Sequence, residues 1–380
     1  MELESAIPEW LQTDRTVPAK TPPNFSPPFE LYTSRFPKHI KDVVMAVIGA
    51  QYPSAEANDG KALATISAFV TADAVGPSSC PAFHEVAAVT DNRGFHNVAV
   101  LAYWPSGLSY DGWRAKSGFG EWWAGLGPGE ESPRNGWFLE VFLPTVDRFE
   151  TVFSTATPEG AAHMRESSSG PIREHVYWGS MRDRLPISQT DELLGEETQK
   201  PHDEAPPNGD TGPRQRVHVP GRKNLAVIRS GQDWSAAPPE ERQLYLDSMQ
   251  PPLVKGMEYL RDHGDEVGCF SCRFMEIVEG PAPAMGPEAE AEAVAGAGAG
   301  GSGTDRTFGL AYFDNLTSLE SWSRGHRTHL AIFGEFARYA KRLGDRMGLR
   351  LFHEVLVLEA EQQVFEYVGC HPGTGMLRSL

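Results

Sequence analysis

A short pattern occurs twice in this 380-residue chain, and it constrains the fold more than any other feature. Leu101-Ala102-Tyr103-Trp104 is followed by Trp113, twelve residues after the leucine, and Leu310-Ala311-Tyr312-Phe313 by Trp322 at the same distance. Each copy reads as strand, loop, helix. Each then reaches a related strand, Phe138-Leu139-Glu140-Val141 in the first and Phe352-His353-Glu354-Val355 in the second. The repeat predicts a duplicated α+β unit whose sheets carry helices on one face. The expected organisation is an irregular arm over 1–30, a first half over 31–190, a linker over 191–220 and a second half over 221–380.

Local signals fill in that outline. Prolines at 8, 18, 22, 23, 27 and 28 forbid a regular helix or central strand in the arm. Ile40, Val43, Val44, Val47 and Ile48 recur at helical spacing and predict a helix. A second helix is expected from Lys61 to about Ala74, and a strand over His96–Trp104. Residues 186–220 are polar and rich in Pro, Gly and Asp, as an exposed connection is. Residues 280–304 are low in complexity, offer little side-chain area to bury, and read as a surface insertion.

Charge and cysteine usage exclude several functions. With 34 basic and 51 acidic residues the net charge is −17, which repels nucleic acid and anionic lipid. The longest strongly apolar stretch, Val43–Ala50, has eight residues, against about 20 for a bilayer span. Glu2 and Glu4 stand where a signal peptide carries basic residues. Four cysteines do not make a disulfide scaffold, so a reducing, cytoplasmic setting is expected.

The copies differ in a telling way. His353 stands opposite Leu139, and His329, seven residues after its tryptophan, stands where the first copy has Gly120. The scaffold therefore does not itself require imidazole at either place. A helix starting near Leu319, capped by Asn315 or Thr317, would carry Trp322, His326, His329, Phe333 and Phe336 at spacings of three or four. Such histidines are either satisfied core residues or ligands. A neutral imidazole on an apolar helix face suits haem iron, whereas zinc lacks an evident third ligand. His353 shares a strand face with Leu351, Val355 and Val357. It is either a structural histidine or a general acid or base tuned by burial.

Other candidates are weaker. Ser230 follows an apolar strand at the start of an expected polar turn, where it stabilises the turn or donates to a ligand. Tyr177-Trp178-Gly179-Ser180-Met181-Arg182-Asp183-Arg184 is a loop held by Arg–carboxylate pairs or an anion clamp. Glu150, near an expected helix start, reads as solvated. Cys269 and Cys272 lie in a strand-like context and read as ordinary thiols, and the Gly-rich run 296–303 lacks the ending of a phosphate loop.

Several blocks carry a family resemblance: VVMAVIGAQY at 43–52, DNRGFHN at 91–97, RFET at 148–151 and YWGSMRDRLPISQTD at 177–191. IRSGQDW at 228–234, HRTHLAIF at 326–333, LRLFHEV at 349–355 and FEYVGCHPGTGML at 365–377 extend it. With these the chain resembles the haem-containing aldoxime dehydratases, lyases that convert R–CH=N–OH to a nitrile and water. The resemblance implies duplicated ferredoxin-like units, antiparallel and barrel-like with flanking helices, and haem b held in the second half and active as Fe(II). It implies that His329 is the axial iron ligand, His353 the distal acid and base, and Ser230 the group that binds the substrate hydroxyl. Arg184 and Glu150 match an arginine and a glutamate of the distal side. A small aldoxime as the partner molecule and a homodimer are implied too. A haem peroxidase of related architecture, or a haem sensor, are the alternatives. The insertion at 280–304 and Cys272, where a polar residue is expected, depart from the family pattern.

Overall fold

The computed structural model describes residues 3–71, 75–76, 78–127, 135–196, 216–278 and 305–380. The insertion at 280–304 and most of the expected linker, 197–215, lie outside the described residues. The arm contains one 3₁₀ turn, Glu9–Leu11, before a two-residue strand β1 (Ser34–Arg35).

The first copy runs β2 (Val44–Tyr52), α1 (Lys61–Val70), β3 (Phe83–Thr90), β4 (His96–Trp104), α2 (Gly107–Lys116), α3 (Phe119–Gly125) and β5 (Gly136–Phe142). After β6 (Phe149–Phe153), β7 (Ser167–Ser168), α4 (Ser180–Arg184) and β8 (Arg216–Val219), the pattern returns. The second copy is β9 (Leu225–Asp233), α5 (Pro239–Leu244), a π turn (Tyr245–Met249), α6 (Gln250–His263), β10 (Cys269–Val278), β11 (Arg306–Phe313), α7 (Leu316–Gly325), α8 (Arg327–Leu343) and β12 (Arg350–Leu358). A last strand, β13 (Gln363–Val368), follows.

Eleven strands form one antiparallel sheet in the order β6-β12-β9-β11-β10-β3-β4-β2-β5-β13-β8, and β1 pairs with β7 separately. In each copy the first strand lies between the third and the fourth, the ferredoxin-like arrangement. The copies meet where Glu276–Val278 of β10 pair with Val86–Ala88 of β3. At the far edges they exchange strands: β6, which follows the first copy, pairs with β12 of the second, and β13, which follows the second, pairs with β5 of the first.

The sheet curls, so its inner faces share one core. Val47, Leu101 and Phe138 of the first copy pack with Val227, Leu310 and Leu356 of the second. The outer face of the first copy is filled by its helices, with Trp104, Trp113 and Trp123 buried. The outer face of the second lies under α6 and α7, with Leu260, Leu316 and Trp322.

Two expectations are corrected here. Val44–Ile48 lies in strand β2, not in a helix, with Val43 just before it. Met45 and Val47 face the inner core while Val44, Ala46 and Ile48 face the helices. A strand buried on both sides is apolar throughout, and periodicity does not separate it from a helix. The ends of the 186–220 stretch are built into the fold as well. Ser188, Gln189 and Leu193 are buried, and Arg216–Val219 pairs with β13.

Candidate active site

The site is built from the outer face of the second copy upward. β12 and β9 are neighbours, and His353 lies directly opposite Ser230 in their register. Ala226, Ile228, Val355 and Val357 pack under the helices, so strand alternation brings Ser230 and His353 to that same face. Ser230 is in mid-strand, not in the polar turn expected of it, because β9 continues to Asp233. Its backbone register is fixed from both sides, against Gly309 of β11 and His353 of β12.

Glu150 is also corrected. It lies on β6, opposite Val355 and two register rows from His353. It is 4% exposed rather than solvated. Both carboxylate oxygens accept from Arg184, at 2.8 Å from Nε and 2.8 Å from Nη2. Arg184 also donates to the Glu174 carbonyl at 3.0 Å, which ties α4 to the preceding loop. Burial pushes the Glu150 carboxyl above its ordinary range, with Arg184 opposing that push. Arg182, the other arginine of the block, turns away to Glu320 on α7.

The histidines are held neutral. Burial, then the Arg184 charge and then His329, push His353 down to about 4. Burial alone does the same to His329, against the Ser323 backbone, again to about 4. Arg184 and His329 are both near enough to His353 for their charge to act on it. His353 keeps part of its surface open although protein surrounds it.

His329 comes from α8, and here the expected single helix breaks in two. Asn315 caps α7, accepting from the Ser318 N–H. The chain then turns extended at His326, whose Nδ1 caps α8. His326 stacks on Tyr259 at 4.0 Å and takes no part in the site. α8 packs mainly on α6, α7 and the π turn, and its later turns reach the sheet, where Phe336, Tyr339 and Leu343 cluster with Leu351 of β12. Its apolar side is left half open: Leu330 and Phe333 are 42% and 40% exposed, and only Thr328 and Tyr339 are buried.

That arrangement fits a haem. The His329 ring is flanked by Trp322 at 4.9 Å and Trp178 at 6.3 Å. Its Nδ1 and the Trp322 Nε1 are buried and make no hydrogen bond of normal geometry among the described residues. A neutral imidazole in an aromatic setting, on a half-open helix face, is suited to hold a haem iron. Across the interval, His353 and Ser230 supply the polar groups of the opposite wall.

One residue of this neighbourhood escaped the sequence reading. His175 is 1% exposed, and neither ring nitrogen makes a hydrogen bond of normal geometry. It lies 5.5 Å from Phe29, and burial with the Arg184 charge pushes it down to about 4. The next residue, Val176, adopts φ 60°, a left-handed conformation that is rare for a β-branched side chain. No periodicity marks an irregular segment, so only the density of aromatic and charged residues just after it was a signal. A cleft of about 1220 Å³ beside α6 and the C-terminal segment is lined by Met257, Cys272, Arg273 and His371. None of the five candidate residues lines it.

The chain is similar along its length to proteins of one family. A family model described as haem-containing dehydratase matches residues 46–376. The aliphatic aldoxime dehydratase of Pseudomonas chlororaphis is 37% identical over 99% of this chain and 98% of its own. The phenylacetaldoxime dehydratase of Bacillus sp. (strain OxB-1) is 30% identical over 94% and 93%. A crystal structure of an aldoxime dehydratase in complex with butyraldoxime superposes with a TM-score of 0.82, at 36% identity, over 99% of this chain and 96% of that one.

Proposed function

The chain belongs to the family of haem-containing dehydratases, and on that footing we propose that it is an aldoxime dehydratase, a lyase converting R–CH=N–OH to R–C≡N and water. The observation that carries this reading is the pairing of His353 with Ser230 on one face, across the interval from the half-open face of α8 that presents His329. His329 would hold the iron of haem b. When bound in the ferrous state, the haem supplies a coordination site for the oxime nitrogen and electron density for weakening the N–O bond.

The chain's own residues do the rest. Hydroxide is a poor leaving group, so its oxygen needs a proton as it departs. Ser230 Oγ binds the substrate hydroxyl and holds it towards His353, which limits unproductive poses. His353 gives that proton to the oxygen and takes one from the oxime carbon, so its own protonation is unchanged over a turnover. Arg184, fixed by Glu150, sets the charge beside the imidazole.

The substrate is a small aldoxime. A homodimer is proposed from the family resemblance alone, and light scattering checks it against twice 41.7 kDa. A cytoplasmic setting accords with Cys269 and Cys272, whose thiols burial pushes up, Cys272 to about 12, so that neither is suited to exchange.

The test is nitrile formation by purified, haem-loaded protein reduced with dithionite under anaerobic conditions, with phenylacetaldoxime and butyraldoxime as substrates. Nitrile from the reduced protein, absent in the ferric control, supports the reaction and its need for Fe(II). A haem spectrum without nitrile across an alkyl and aryl series sinks the reading. Peroxide-dependent turnover by ferric protein would then indicate a peroxidase, and its absence a haem sensor.

A further inference from the structure

Behind Ser230 and His353, on the inner face of the same two strands, lies a buried ionic network that the chemistry above does not use. Arg229 and Glu354 are cross-strand partners in the register row next to Ser230 and His353. Both are 0% exposed. Glu354 accepts from the Tyr103 hydroxyl at 2.8 Å, from Arg229 Nη1 at 3.3 Å and from the Ala161 N–H at 2.7 Å. Arg229 donates to the Tyr103 hydroxyl at 2.9 Å and pairs through Nη2 with Glu85. Phe308 and Phe352 cage the guanidinium at 4.6 and 4.8 Å. Tyr103 and Glu85 belong to the first copy, so the network bolts β9 and β12 to the opposite wall of the barrel.

The duplication supplies a twin. Glu140 occupies the place of Glu354, and Tyr312 the place of Tyr103. Glu140 accepts from Tyr312 and from Tyr367, the latter at 2.8 Å, and pairs with Arg273. The outward neighbour of Glu140 is Leu139, where the second copy has His353. The arginines differ in place: Arg273 lies on β10, in the position of Glu85, and Val47 of β2 stands in the position of Arg229. Both networks back a strand through a glutamate, and only one of those strands carries reactive groups. Buried ion pairs are a poor source of stability, because desolvation offsets most of the attraction and apolar residues of equal volume serve as well. They specify geometry instead.

We infer that Arg229, Glu354 and Tyr103 are positioning residues that fix the spacing of Ser230 and His353 from behind the sheet, whereas the Glu140–Arg273–Tyr312 twin maintains the barrel alone. This rests on the dehydratase reading. The mechanism is steric and local. Glu354 is bonded to His353 and Arg229 to Ser230 through one peptide, so loosening the inner row moves the outer one.

A matched pair of variants tests it. Tyr103→Phe and Tyr312→Phe each remove one hydroxyl from one network and keep the ring. Both should lower Tm by similar amounts. Tyr103→Phe should lower kcat about 10-fold or more with KM and haem content little changed, since displacements near 1 Å cost up to about 100-fold. Tyr312→Phe should leave kcat within about twofold of wild type. In the haem-free protein, the NMR signal of the His353 imidazole should shift in Tyr103→Phe and stay in Tyr312→Phe. Glu354→Gln against Glu140→Gln repeats the comparison where those proteins fold. Equal effects of the two tyrosine variants on kcat and on the His353 signal, or none from Tyr103→Phe, overturn the assignment. Absence of nitrile from the wild type would remove the dehydratase reading instead, and the imidazole signal still tests the positioning without turnover.

Discussion

Ser230 and His353 differ in what their loss should do from His329, although all three border one interval. Ser230→Ala and His353→Ala should keep haem and still perturb its spectrum on adding aldoxime, yet lose nitrile formation by about 100-fold or more. His329→Ala should purify without haem. Near wild-type turnover by His353→Ala would remove it as the proton carrier. Because burial, Arg184 and His329 hold His353 at about 4, its acid form is minor at neutral pH. If it acts first as acid, kcat/KM rises as pH falls from 8 towards 5. A flat profile over that range would mean that it acts first as base. His175 gives a stability prediction. Its native pKa of about 4 lies below the ordinary 6.5, so between those values the unfolded chain binds the extra proton and native stability falls with pH. Carboxyls raised by burial, such as Glu150 and Glu354, act in the opposite sense, so a comparison isolates the histidine. His175→Leu should lose less stability between pH 7 and pH 5 than wild type, read from urea midpoints.

At the scale of elements, α7 and α8 depend on caps and on what lies beneath them. Removing the Asn315 side chain, which accepts from Ser318 N at 2.9 Å, should cost about 1 kcal/mol in Asn315→Ala, measured by chemical denaturation. Because the apolar side of α8 is half open, its amides should exchange faster than those of α6 in haem-free protein and slow when haem is added. The elements also show what a sequence discloses. His96–Trp104 was legible as a strand and Lys61–Val70 as a helix because their patterns are unambiguous. β2 was not, since burial on both faces erases alternation. The break at His326 was hidden because helical spacing runs through it. His329 and His353 stood out through the mismatch between the copies. Glu150 and Arg184, 34 residues apart in sequence, could be joined only by resemblance, because local pattern carries no record of a distant ion pair.

At the scale of the molecule, the two copies are not separable parts. β6 and β13 each sit on the other copy, and the inner core draws on both. Residues 1–220 and 221–380 made separately should each fail to give a cooperative thermal transition, and mixing them should restore one, followed by near-ultraviolet circular dichroism. Two stable halves would show that the exchanged strands are dispensable. The exchange also has a consequence in time. The edge of β5 is complete at Phe142, but the strand that covers it begins at Gln363. At 5–20 residues per second the ribosome takes roughly 10–45 s to make the intervening stretch of about 220 residues. Throughout that interval the nascent first copy presents a bare, apolar strand edge to its surroundings. Slow decoding between the codons for Phe142 and Val368 should therefore favour aggregation more than slow decoding before them, which makes the yield of this protein sensitive to codons far from the strand they leave bare.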